Sequence, residues 1–163
     1  MPSSSEVTPP ARRRRVATAA GIARLLPWYL AFGALRHVVP LPWLARWSWH
    51  APTADRDRDR EQKLVARVIR LRHALDRGRG DCLQSSLVLY RELSRTGADP
   101  TLVVGFRRTN GRMQGHAWVL ADGRPVGETQ DELDGFAPTF GFGRHGTLQP
   151  TPEWASGESL RRI

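Results

Sequence analysis

The hydrophobic repeat of this chain changes at Asp99-Pro100 from helical to strand spacing, which places helices before sheet. Before that point Leu64, Val68, Leu71 and Leu75 recur at helical spacing, with Val65 and Ile69 widening the stripe and Gly78 and Gly80 closing it. Leu83, Leu87, Tyr90 and Leu93 repeat the pattern over 82–95, and Gly97 is a natural stop. After it, TLVVGF (101–106) is a compact β-branched run and Asn110-Gly111 a hairpin signal. The runs 113–120 and 124–128 then follow, joined by a tight turn at Asp122-Gly123. The expected class is α+β, with two amphipathic helices on a small antiparallel sheet. The segment PTFGFGRHG and the stretch to Ile163 read as irregular.

With 163 residues, 40% of them hydrophobic, the chain is long enough for one domain with a core and appendages. Residues 1–15 are Ser/Pro-rich and end in the Arg12–Arg15 run, which reads as a disordered basic leader. Residues 16–54 are apolar and hold Trp28, Trp43, Trp47 and Trp49. Prolines break this stretch into two short helices, around Pro27 and Pro40–Pro42, whose apolar faces pack on the main domain or a partner. The alternating charges from Asp55 to Arg60 mark the boundary of a main domain spanning 55–145, and 146–163 form a tail.

The longest uncharged stretch, Leu25 to Leu35, has 11 residues, and a bilayer span needs about 20. No transmembrane segment is expected. Arg24 and Pro27 interrupt what would otherwise resemble a secretory signal, so the expected location is the cytoplasm. A single cysteine excludes an intramolecular disulfide, and five scattered histidines offer no zinc spacing, so neither metal nor cofactor is expected. Seven arginines against Glu6 in residues 1–50 supply six of the nine net positive charges. Without aromatic interleaving the Arg12–Arg15 run does not read as a nucleic-acid site, and contact with an acidic peptide or plain solubility accounts for it.

The lone cysteine stands where its chemistry changes. Asp81 and Gln84 bracket Cys82 and Leu83 in the manner of a capping box, which puts Cys82 in the first turn of a helix. Free N–H groups and the positive end of the helix dipole there favour a thiolate and can cradle an oxyanion. An inert buried cysteine is the alternative on position alone. His116, between Gly115 and Ala117, shares one strand face with Trp118 and Leu120, and a thiol nucleophile needs such a base. The base in turn needs an orienting partner. Asp122 lies roughly 20 Å of extended chain away and cannot reach. A three-residue loop would set Glu128 directly opposite His116, and a two-residue Asp-Gly turn would shift the register by one and turn Glu128 away. The expectation is the three-residue loop, with Glu128 as the partner.

The strings GDCLQSSLVLYRELSRTGADPTLVVGFRR and GHAWVLADGRPVGE resemble the transglutaminase-like cysteine peptidases of lasso-peptide biosynthesis, the leader peptidase or C-terminal domain of the B protein. The likeness covers roughly residues 60–130. It implies a papain/transglutaminase-like fold in which Cys82 is the nucleophile, His116 the base and Glu128 the third member, where the family usually has Asp. Asp81, Leu83, Gln84 and Trp118 become oxyanion or substrate-site candidates. It also implies a precursor leader peptide as substrate and an ATP-dependent, asparagine-synthetase-like macrolactam cyclase as downstream partner. Residues 1–60 lack the strand pattern of a leader-gripping winged helix, so a separate recognition protein is expected. Two other readings fit the residues. One is an acyl transferase of transglutaminase or arylamine acetyltransferase type with the same triad, and the other a non-enzymatic basic adaptor.

Overall fold

The computed structural model describes residues 11–53, 55–75 and 82–149, with side chains from Ala20 onward. Four helices come first: α1 Ala11–Leu35, α2 Leu41–Ser48, α3 Arg58–Leu75 and α4 Cys82–Arg95. The sheet follows, with β1 Thr101–Thr109, β2 Arg112–Ala121, β3 Arg124–Pro125, β4 Ala137–Phe142 and β5 Leu148–Gln149. A short helix α5, Gln130–Leu133, separates β3 from β4, and a 3-10 turn, Arg144–Gly146, separates β4 from β5. Neighbouring strands are antiparallel, in the order β3-β2-β1-β4-β5.

Side-chain alternation gives the sheet two different faces. Leu102, Val119 and Phe142 join Leu25, Tyr29, Phe32, Leu44, Leu64, Val68, Leu87 and Leu93 in a core under the helices. Val103, Trp118, Leu120 and Leu133 form a smaller cluster on the opposite face. Helix α4 runs through the main core with ten of its 14 residues buried, so its first residue, Cys82, has a rigid footing.

Three expectations about the N-terminal third need correction. Helix α1 runs unbroken through Pro27. The proline costs about 3 kcal/mol in a helix interior. Burying Leu25, Tyr29 and Phe32 at i, i+4 and i+7 returns about 1.5–3 kcal/mol each, so packing wins. Of residues 1–15, expected to be disordered, 11–15 open this helix and 1–10 lie outside the described residues. The boundary expected at residue 55 does not divide the core: α1 and α2 pack on the main domain, one of the two alternatives expected, and supply part of the same core as α3 and α4. The break at Pro40–Pro42 is present, with Pro40 as the cap of α2.

The stretch after Thr129 is also more ordered than expected. Thr129 caps α5 in a capping box with Glu132, and β4 pairs along the free edge of β1. Positions 150–163 of the expected tail lie outside the described residues. No helix among the described residues is long and apolar enough to cross a membrane.

Candidate active site

Strand β3 is only two residues long, and that brevity builds the site. The last bond on that side of β2 runs from the Val126 N–H to the Val119 carbonyl, 2.9 Å. Two residues back, the backbone groups of Ala117 face the same bare edge. Helix α4 satisfies them: the Ser86 hydroxyl donates to the Ala117 carbonyl at 2.8 Å, and the Ala117 N–H donates to the sulfur of Cys82. The start of α4 therefore stands in for the missing strand, and Cys82 is half-buried beside His116.

Glu128 reaches the same place by an unexpected route. The hairpin closes with two residues, because Ala121 pairs with Arg124 and Leu120 with Pro125. Asp122 and Gly123 take φ values of 53° and 72°, the left-handed pair of a type I′ turn, whose twist matches the flanking strands. The three-residue expectation and its direct His116–Glu128 register are thus incorrect. Glu128 also lies beyond β3 rather than on a strand. After Val126 the chain leaves the ladder through Gly127, at φ 82°, and the Glu128 side chain comes to His116. A side chain at 127 would be strained by that φ, and its Cβ would stand 3.2 Å from Val65 of α3.

His116 Nε2 lies 2.6 Å from Glu128 Oε2. A carboxylate only accepts, so the proton sits on Nε2 and the other ring nitrogen, Nδ1, is left for Cys82. The second carboxylate oxygen, Oε1, accepts from Arg72 Nη1 of α3 at 3.1 Å. The imidazole ring is packed by Phe136 and Trp118, with centroids 5.0 and 6.0 Å away.

These contacts set the charge state. Burial works against charge on His116, yet hydrogen bonds to Cys82 and Glu128 and their negative charge push it up to about 9. Burial likewise raises the Cys82 thiol, but the His116 hydrogen bond, the Ala117 N–H, the imidazolium charge and the Leu83 N–H carry it below its ordinary value. The arrangement favours a thiolate beside an imidazolium.

The remaining candidates divide. Leu83 contributes its backbone N–H to the sulfur while its side chain packs on the main core. Gln84 does not face the site: it is 5% exposed, its amide donates to the Tyr29 carbonyl at 2.5 Å, and it packs against Gly33. Trp118 is buried in the second cluster and touches the histidine rather than an open surface. Asp81 lies outside the described residues, and with it the proposed cap of α4. Asp122 sits at the turn, exposed, paired with Arg56 at 2.7 Å and with Arg58. Arg72 and Phe136 were not foreseen. Arg72 had a signal, since it falls at i+7 and i+3 from Val65 and Ile69, the row of α3 that faces Gly127.

A helix opened by a cysteine, packed on an antiparallel sheet that carries a histidine at its edge, places the chain in the α+β papain/transglutaminase-like class of folds. The family model described as the Transglutaminase-like superfamily matches residues 22–141, and the chain belongs to that superfamily, which includes cysteine peptidases and transferases. The match begins within α1, in keeping with a core that α1 shares. No curated protein and no solved structure matches the chain.

Proposed function

We propose that this protein is a cytoplasmic cysteine endopeptidase that removes the leader from a lasso-peptide precursor before macrolactam closure. The observation that carries the catalytic part is the chain of contacts Cys82, His116, Glu128. What supports the substrate is the resemblance of the segments around Cys82 and His116 to the lasso leader peptidases.

The residues supply each step. Cys82 Sγ attacks the scissile carbonyl, and the N–H groups opening α4, that of Leu83 among them, take up the charge on oxygen. The C–N bond breaks as the imidazolium of His116 gives its proton to the departing amine. Water then adds to the thioester, His116 takes its proton, and the C–S bond breaks to release the leader as a carboxylic acid. The freed amine is the group that an ATP-dependent, asparagine-synthetase-like cyclase joins to a side-chain carboxylate. Glu128 holds the imidazole tautomer and balances its charge throughout.

In this reading leader capture belongs to a separate recognition protein, since the apolar rows of α1 and α2 from Ile22 onward are taken up by the core. The test is incubation with that protein and the precursor, read by mass spectrometry. A single leader-length cut, absent in Cys82→Ala, is the expected result. Transfer of the acyl group to an added amine, with no hydrolysis, would assign an acyl transferase instead.

A further inference from the structure

A second concave site lies between α1, α3 and the C-terminal end of α4, a cavity of about 440 Å³. Arg24, Arg60, Arg67 and Arg95 line it, and Glu92 is the only carboxylate on its wall among the described residues. Four guanidinium groups against one carboxylate leave three uncompensated positive charges. Glu92 is itself divided, 3.9 Å from Arg95 and 3.6 Å from Arg91. Arg24, Arg60 and Arg67 have no ion-pair partner among the described residues.

Arg24 and Arg60 are exposed at the rim of this cavity, and Arg67 and Arg95 are half-buried in it. Arg60 and Arg67 stand at i and i+7 on the flank of α3 that carries buried Leu64, turned toward α1. Arg67 is seated: a Cβ at Gly21 of α1 would fall 2.8 Å from its Nε and 2.9 Å from its Cζ, so the guanidinium lies against bare backbone there. The dipole at the end of α4 accounts for Arg95 but not for the other three, whose mutual repulsion an anion would relieve. Arg95 and Cys82 end a 14-residue helix, which separates this cavity from the thiol by roughly 20 Å at 1.5 Å per residue.

We propose that this cavity binds a compact phosphate-bearing polyanion of the pyrophosphate class. Guanidinium forks match phosphate oxygens in pairs, and an excess of three positive charges around one cavity suits a group that concentrates its charge. An acidic peptide presents one charge per side chain and would have to thread three of them into the same space. The phosphate chemistry is shared by a free di- or triphosphate and by a phosphorylated lipid headgroup. The site stands independently of the proposed proteolysis.

The experiment is calorimetric titration of the full chain with inorganic pyrophosphate at fixed ionic strength. Vesicles with and without a phosphorylated inositol lipid, and an oligoglutamate peptide, are the parallel arms. Binding should weaken about tenfold or more in Arg67→Ala and in Arg24→Gln, the loss of a charge-assisted pair, and stay unchanged in Arg70→Ala on the exposed side of α3. Arg24 is exposed on α1, so its variant keeps the test decisive if Arg67→Ala does not fold. Pyrophosphate binding places the source in solution, and vesicle binding lost in the same variants places it in a headgroup; either supports the site. No phosphate-dependent binding in any arm, equal loss in Arg70→Ala, or binding of oligoglutamate alone would overturn it.

Discussion

Glu128 Oε2 stands 2.6 Å from His116 Nε2 although their hairpin is one residue out of direct register, because the chain leaves the ladder after Val126 and turns at Gly127. The carboxylate is thus placed by a break in the sheet. Glu128→Gln keeps the shape and removes the charge that stabilises the imidazolium. Turnover should fall by on the order of 10²–10⁴ with the fold intact by circular dichroism. Asp122→Asn should leave turnover nearly unchanged, since Asp122 serves only the exposed pairs with Arg56 and Arg58. Equal losses in the two variants would remove Glu128 from the site.

The paired thiolate and imidazolium predict a bell-shaped pH profile. The rising limb follows ionisation of Cys82, which lies below the ordinary thiol value, so reaction with iodoacetamide should persist below the pH at which a free thiol falls silent. The falling limb of peptide cleavage follows loss of the His116 proton near pH 9, because the departing amine then has no donor. His116 is held high by Cys82 and by Glu128, and in Glu128→Gln the second support is lost, so the falling limb should move to lower pH. An alkylation profile identical to that of free cysteine would refute the ion pair.

What the sequence discloses here is what short-range chemistry decides. Cys82 at a helix start and His116 on a strand are both legible, because a stripe of leucines and an alternation of apolar residues locate them. The three-residue loop places Glu128 near His116 by the wrong register, and the dipeptide Asp122-Gly123 is itself the signal for the two-residue loop. Strand β4 is not legible in the sequence because Gly141 and the exposed Phe140 weaken its alternation; its order comes from the free edge of β1, far away in the chain. Helix α1 escaped Pro27 for a similar reason, since residues on α3 and α4 bury its apolar row. Arg72 was hidden because a charged residue on a helix flank reads as solvated until the segment opposite it is known.

Gly127 is the hinge of the placement, so Gly127→Ala should act on chemistry more than on stability. The φ of 82° is strained for alanine, and its Cβ meets Val65 at 3.2 Å. The expected cost is about 1 kcal/mol of stability, read as a modest fall in melting temperature. Turnover should drop further, because a shift of Glu128 lengthens and misaligns its 2.6 Å hydrogen bond to His116. A fall in melting temperature with unchanged turnover would show that Glu128 tolerates displacement.

Arg72 holds the far oxygen of the same carboxylate at 3.1 Å, so it acts on His116 only through Glu128. The side chain is 30% exposed and Glu128 10%, which makes this a partly desolvated pair rather than a surface one. Arg72→Ala frees Oε1 and lets the carboxylate rotate away from the imidazole, and turnover should fall by about tenfold, less than in Glu128→Gln. Arg72→Lys keeps the charge but loses the planar fork and should recover part of the loss. A purely structural role would lower stability without moving the titration of the thiol. Positioning instead predicts that the alkylation profile of Cys82 shifts toward that of a free thiol in Arg72→Ala. The decisive comparison is the double variant Arg72→Ala with Glu128→Gln. Residues acting in series give little loss beyond Glu128→Gln alone, whereas independent effects would multiply.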